Sequence, residues 1–150
     1  MHSRSLPLLI LILAFLGIAD AAYLAGAALS GTELSCDLGG LDGCNVVAQS
    51  PYSEILGLPL GAYGVVFYGA FFFVAALYLA IPRRAFVRIL FMLGAFGFVA
   101  SLYFLYLQYF VIEAFCIYCI TSATIATLLF FGSWMLASRV SAFNFPEPVS

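Results

Sequence analysis

Cys116 and Cys119 stand in the segment Phe115-Cys116-Ile117-Tyr118-Cys119-Ile120-Thr121, which opens an apolar run without a charge until Arg139. Two cysteines three apart on one helical face bring their Cβ atoms to about 5–6 Å, close enough to bridge after a small adjustment of the first turn. Buried structural thiols are usually scattered singly, so this spacing points to chemistry rather than packing. The only other cysteines, Cys36 and Cys44, lie in the one long polar interruption of the chain. Four thiols in two pairs fit a thiol–disulfide relay, in which a thiolate attacks a disulfide sulfur, a mixed disulfide forms and an electron pair moves on. In a first helical turn, Cys116 meets unpaired N–H groups and the positive end of the helix dipole. These favour its thiolate, and burial opposes it.

The elements that must position these thiols are membrane helices. The chain is 65% hydrophobic and 8% charged, against about 25% charged residues in soluble domains. Uncharged stretches cover residues 55–82, 89–112 and 114–138, and a fourth runs from 6 to about 29, broken only by Asp20. Each exceeds the roughly 20 residues that cross a bilayer core as helix. The alternation that a membrane barrel needs is absent. The expected fold is therefore an all-α polytopic membrane four-helix bundle. One domain spans 1–150, with helices at about 6–29, 59–81, 87–111 and 115–137 and an external loop at about 30–58.

Arg4, the apolar stretch after it and Ala19-Asp20-Ala21 also imitate a cleavable secretory signal. The apolar run continues through Ala21-Ala22-Tyr23-Leu24-Ala25, so a retained anchor accounts for more residues. Asp20 then lies inside a helix, where a carboxylate is costly unless it is interfacial, protonated or partnered. It is a functional candidate beside the plainer reading of an interfacial residue.

All five arginines, Arg4, Arg83, Arg84, Arg88 and Arg139, fall before the first helix, between the second and third, or after the fourth. The positive-inside rule puts these places, and both termini, in the cytoplasm. The loop at 30–58 and the turn around Glu113 are then outside, where disulfides form and persist. A bacterial inner membrane with all four cysteines on the external, periplasmic side is the expected setting. Within the loop, Gly39, Gly40 and Gly43 let Cys36 and Cys44 come together or part. Asn45-Val46-Val47-Ala48-Gln49-Ser50 is expected to form a short interfacial helix, and Gly57-Leu58-Pro59-Leu60-Gly61 to turn the chain back into the membrane. The proline-rich tail from Asn144 to Ser150 reads as a frayed end.

Other chemistries fit less well. A four-cysteine zinc site uses two pairs, but the seven-residue gap exceeds the usual two to four. A purely structural disulfide would staple the outer loop. Haem is disfavoured because His2 is the only histidine and lies at the cytoplasmic end. No phosphate-binding glycine loop, basic groove for nucleic acid or Ser-His-Asp set is present.

The ordered combination of Cys36-x7-Cys44, Ser50 six residues on, the Gly57 to Gly61 re-entry and Cys116-Ile117-Tyr118-Cys119 resembles the vitamin K epoxide reductase family. The resemblance covers roughly residues 6–137. It implies an up-and-down bundle around a quinone, ubiquinone or menaquinone, with no metal or haem. Electrons from a thioredoxin-fold protein acting in trans would enter at Cys36, pass through Cys44 to Cys116, and leave from Cys119 to the quinone. Cys36 and Cys44 would be the shuttle pair, Cys116 and Cys119 the quinone-side pair, and Ser50 the hydroxyl beside the quinone pocket. For Ser50 the plainer reading is a capping or solvated serine before Pro51. Ala123 stands where mammalian members carry a tyrosine, so their discrimination of epoxide and anticoagulants does not carry over.

The remaining quinone contacts expected from sequence are Tyr103 and Tyr106, in a stripe continued by Tyr109, together with Gln108, as sources of ring stacking and hydrogen bonds. An interfacial aromatic belt is the competing account of the tyrosines. Two alternatives to the leading function stand. The disulfide bond protein B family is also a four-helix quinone reductase, but it carries its C-x-x-C in the first external loop, the reverse of the order here. A non-enzymatic membrane subunit would keep its disulfides fixed and bind no quinone.

Overall fold

The computed structural model describes residues 4–36 and 43–142; Gly39, Gly40 and the tail read above as frayed lie outside them. Four long helices dominate. They are α1 (Ser5–Ser30), α3 (Leu60–Ala80), α4 (Arg84–Tyr106) and α5 (Ile117–Ala142). Each is long and apolar enough to cross a membrane, and the described fold is the expected all-α polytopic bundle. The helices form a ring in which α1 packs on α3 and α5, and α4 on α3 and α5.

Small residues set the closest approaches. A Cβ on Gly61 would stand 2.6 Å from the Ala25 nitrogen and 2.9 Å from the Ala21 oxygen, so α3 enters the bundle against the backbone of α1. With lipid as apolar as leucine, such backbone contact supplies the van der Waals packing that holds membrane helices together. The core between the helices contains Ile10, Ala14, Tyr68, Phe71, Leu90 and Leu129. Phe15, Val66, Phe73, Met92, Phe96 and Val99 are exposed around the outside, as a lipid-facing belt requires.

Between α1 and α3 the described residues form one short helix, α2 (Cys44–Ala48), and a hairpin of β1 (Glu54–Ile55) and β2 (Leu58–Pro59). The short helix of the loop thus begins on the second cysteine itself. The hairpin turns through Leu56 and Gly57 at φ 54° and 78°, the left-handed pair that a tight two-residue turn demands. The Tyr63 hydroxyl ties the hairpin to α3 by donating to the Ile55 carbonyl at 2.8 Å.

At its far end α4 widens into a π-helical turn, Leu107–Ile112, which stops at Glu113 in the left-handed region, φ 54°. π-helical turns recur at functional sites. Here α2 lies against that turn.

Candidate functional site

Cys36 and Cys44 are joined in a disulfide, with Cα atoms 6.2 Å apart. Their flanks are clamped. The Leu34 N–H donates to Asn45 Oδ1 at 2.9 Å, and Asn45 Nδ2 donates back to the Leu34 carbonyl at 3.3 Å. The residue after the second cysteine therefore fixes the segment that leads to the first.

Cys116 and Cys119 are thiols. Cys116 occupies the cap position just before α5, rather than its first turn as expected from sequence. Its Sγ accepts the Cys119 N–H at 3.4 Å, and its carbonyl accepts the Ile120 N–H at 3.0 Å. A side chain that accepts the N–H three residues on is what an N-cap provides. The Cys116 N–H in turn donates to Gln108 Oε1 at 3.1 Å. The Cys119 thiol, donating to the Cys116 sulfur, lowers the Cys116 pKa below the usual thiol range. Burial opposes this, while the Cys119 and Tyr118 N–H groups assist it.

The two pairs share one buried cluster. Cys36, Cys44 and Cys116 are buried together with Ala27 and Leu34, with Val47, Tyr118 and Cys119 packed alongside. Cys44 is 0% exposed, Cys116 1% and Cys36 9%. Two features hold the loop on α5. The Tyr118 hydroxyl donates to the Ser35 carbonyl at 2.8 Å, and its ring lies 4.9 Å from that of Tyr23. Gly43, immediately before Cys44, presses on the residues immediately before Cys116. A Cβ there would stand 2.9 Å from Ala114 Cβ and from the Phe115 backbone N and O.

Next to the thiols, a second polar group crosses the bundle. The Asp20 carboxyl on α1 bonds the Ser122 hydroxyl on α5. Tyr68 Oη on α3 donates to the Ser122 carbonyl at 2.8 Å and lies 2.9 Å from Ser122 Oγ. Asp20 Oδ2 is buried with no hydrogen-bond partner. Sequence reading marked Asp20 but not its partners. The available signal was Ser122, one helical turn beyond Cys119 and so on its face.

The other residues singled out from sequence divide. Gln108 is 3% exposed and reaches Cys116, though as the acceptor of its N–H. Tyr103 and Tyr106 are each 55% exposed. The Ser50 hydroxyl donates to the Val47 carbonyl at 2.7 Å, just beyond α2. A shallow cavity of about 200 Å³ between α4 and α5 is lined by Leu105, Ile120, Ala123, Thr124, Thr127 and Leu128. Ala123 places it on the helical face of Cys119, four residues away. Among the described residues no group of three histidine, cysteine or acidic side chains forms a metal site.

The sequence model of the vitamin K epoxide reductase family matches residues 8–134. A search of curated proteins gives no match.

Proposed function

The chain belongs to the vitamin K epoxide reductase family, matched over residues 8–134, and on that premise we propose that it oxidises an exported thioredoxin-fold protein and passes the electrons to a membrane quinone. Family membership makes it a membrane thiol–disulfide oxidoreductase linked to quinone. The identity of the protein donor, the relay order and the site residues belong to the proposal.

One observation carries the reading, namely the burial of Cys44 and Cys116 in a single cluster between the loop and α5. A thiolate of the donor protein attacks Cys36, the less buried member of its disulfide, and releases Cys44. The donor's second thiol resolves the mixed disulfide and leaves as the oxidised protein. Cys44 then attacks Cys116 in the oxidised inner pair, and Cys119 departs as thiolate. Cys36 closes on Cys44 again, leaving Cys116 and Cys119 as a dithiol. Each exchange moves one electron pair and keeps the count of disulfides constant.

A quinone supplies a sink for two electrons and two protons. The apolar walls of the cavity between α4 and α5 fit its ring. The Thr124 and Thr127 hydroxyls there donate to the Ile120 and Ala123 carbonyls at 2.8 Å each, leaving only their oxygens toward a ligand. Cys119 is the thiol on that face. Ser50 is assigned to the quinone side on the family resemblance, with its proton committed to Val47 and its oxygen able to accept. Tyr103 and Tyr106 are assigned to the membrane interface, and Gln108 to holding Cys116. By the positive-inside rule, the arginine distribution supports an external position for the cysteines.

Reconstituting the purified chain with a reduced thioredoxin-fold protein and either a benzoquinone or a naphthoquinone tests the proposal. One quinone reduced per donor disulfide formed is expected. Absence of reduction with both quinone classes would overturn it. Impermeant thiol reagents on intact, pre-reduced cells should label Cys36 or Cys44, and labelling only after permeabilisation would invert the orientation.

A further inference from the structure

Asp20, Ser122 and Tyr68 come from three helices, and the exchange steps above use none of them. Asp20 lies 16 residues into the apolar run from Arg4, about 24 Å along the helix, so that arginine does not neutralise it. An ionised carboxylate there is costly unless hydrogen-bonded or protonated. One oxygen has Ser122; Oδ2 has nothing.

The protons around Ser122 can be counted. Tyr68 has one, given to the Ser122 carbonyl at 2.8 Å, so its oxygen is free to accept. Ser122 has one, and two acceptors stand beside it, the Tyr68 oxygen at 2.9 Å and the Asp20 carboxylate. With Asp20 ionised, Ser122 donates to Asp20. With Asp20 protonated, the carboxyl donates to Ser122, which turns its own proton to Tyr68. The network is bonded in both states, which a merely structural carboxylate would not need. The titratable groups around it are Tyr68 from α3 and, within two turns of Ser122, Tyr118 and Cys119 on α5 and Cys116 just before it. Ser122, bonded to Asp20, stands one helical turn beyond Cys119 on α5. Two anions in one low-dielectric space repel, so a carboxylate and a thiolate here compete for one proton.

We propose that Asp20, through Ser122, is the proton-holding residue of the Cys116–Cys119 dithiol. The inference rests on the dithiol–quinone reading. As the inner pair is oxidised, the Cys119 S–H proton passes to the Ser122 oxygen and the Ser122 proton to Asp20. The sulfur–sulfur bond forms between Cys116 and Cys119. Their electron pair goes to the quinone, whose two oxygens take the proton held on Asp20 and the one released by Cys116. Two S–H bonds break, one S–S and two O–H bonds form, and Asp20 returns to its starting charge.

The test is made first on reduced, quinone-free protein, with Asp20→Asn, Asp20→Glu and Ser122→Ala beside the parent. The pH profile of iodoacetamide alkylation at Cys116 should show two steps in the parent and one in Asp20→Asn, displaced to lower pH because a neighbouring negative charge has gone. Asp20→Glu should restore two steps. An infrared carboxyl band that changes when the inner pair is oxidised should be absent from Asp20→Asn. In the loaded protein, Asp20→Asn and Ser122→Ala should each slow the quinone step roughly 10²-fold, the lower range for a lost proton-transfer group. Identical alkylation profiles in the parent and a folded Asp20→Asn would overturn the inference. Because that readout uses neither quinone nor protein donor, its failure is separable from failure of the quinone reductase reading.

Discussion

The Tyr118 hydroxyl and the Ser35 carbonyl, 83 residues apart in sequence, meet at 2.8 Å. Tyr118 lies between Cys116 and Cys119, and Ser35 directly precedes Cys36, so one hydrogen bond registers the outer pair against the inner. Tyr118→Phe keeps the ring against Tyr23 and removes the hydroxyl that bonds Ser35 and meets the Tyr23 hydroxyl. It should cost about 1 kcal/mol of stability and slow transfer between the pairs more than it slows direct reduction of the inner pair by a small dithiol. Stopped-flow rates with the two donors measure this, and equal slowing with both would remove the registering role.

Gln108, a quinone contact expected from sequence, accepts the Cys116 N–H. Replacing it with Leu strands the buried Cys116 N–H, which costs about 1–3 kcal/mol. Gln108→Glu retains an acceptor but brings a charge to the Cys116 cap. Thermal unfolding in detergent should rank parent above both variants. Iodoacetamide should react with Cys116 at a higher pH in Gln108→Glu than in the parent.

How far the sequence disclosed this arrangement depends on the distance over which each signal acts. Apolar length is a property of whole segments, and it yielded the bundle because nothing but a helix satisfies its backbone in lipid. The cysteines were legible because their spacing is itself chemical. Tyr103, Tyr106 and Gln108 sat close together in sequence, yet a helix sends them to different sides. Ser122 and Tyr68 gained meaning only when three helices brought them to Asp20. Gly43 read as freedom for the loop. In the fold it is a contact with Phe115 too close for any side chain.

That contact makes Gly43→Ala a sharp probe. The added Cβ would fall 2.9 Å from Phe115 backbone atoms, which cannot swing aside as a flexible side chain can. The Cys44 end of α2 must lift. The Cys36–Cys44 disulfide should still form, while transfer from Cys44 to Cys116 falls at least tenfold, a factor worth about 1.4 kcal/mol. Rapid-quench analysis of the two disulfides would show the block. Unchanged transfer would mean that the loop tolerates displacement.

The pH dependence of Cys116 has a definite sign. With the Cys119 thiol as donor, the Cys116 pKa is below the usual range, so its thiolate appears, and alkylation accelerates, at lower pH than for an ordinary cysteine near 8.5. Cys119→Ala removes the leading cause and should move the acceleration back up. Mass spectrometric alkylation rates across pH 5 to 9 would decide it. A profile that ignores Cys119 would show that the cap N–H groups, rather than the neighbouring thiol, set the acidity.

The order of transfer makes the strongest claim on geometry. Cys44 and Cys116 are the most deeply buried cysteines, in one cluster, and Gly43 and Phe115 touch directly before them. If the pairs exchange through Cys44 and Cys116, then in Cys119→Ser the Cys116 thiolate attacks Cys44 of the outer disulfide and expels Cys36, and alkylating the released Cys36 thiol should make a Cys44–Cys116 bridge accumulate. Cys36→Ala alone should abolish oxidation of the protein donor yet leave reduction of quinone by a small dithiol, which can reach the inner pair without the outer one. The bridge would join the outer loop to α5, so cleavage of the chain between them should leave the fragments linked on nonreducing gels and separate them on reduction. Fragments that separate without a reductant, as readily as those of the parent, would require another route from the outer pair to the inner.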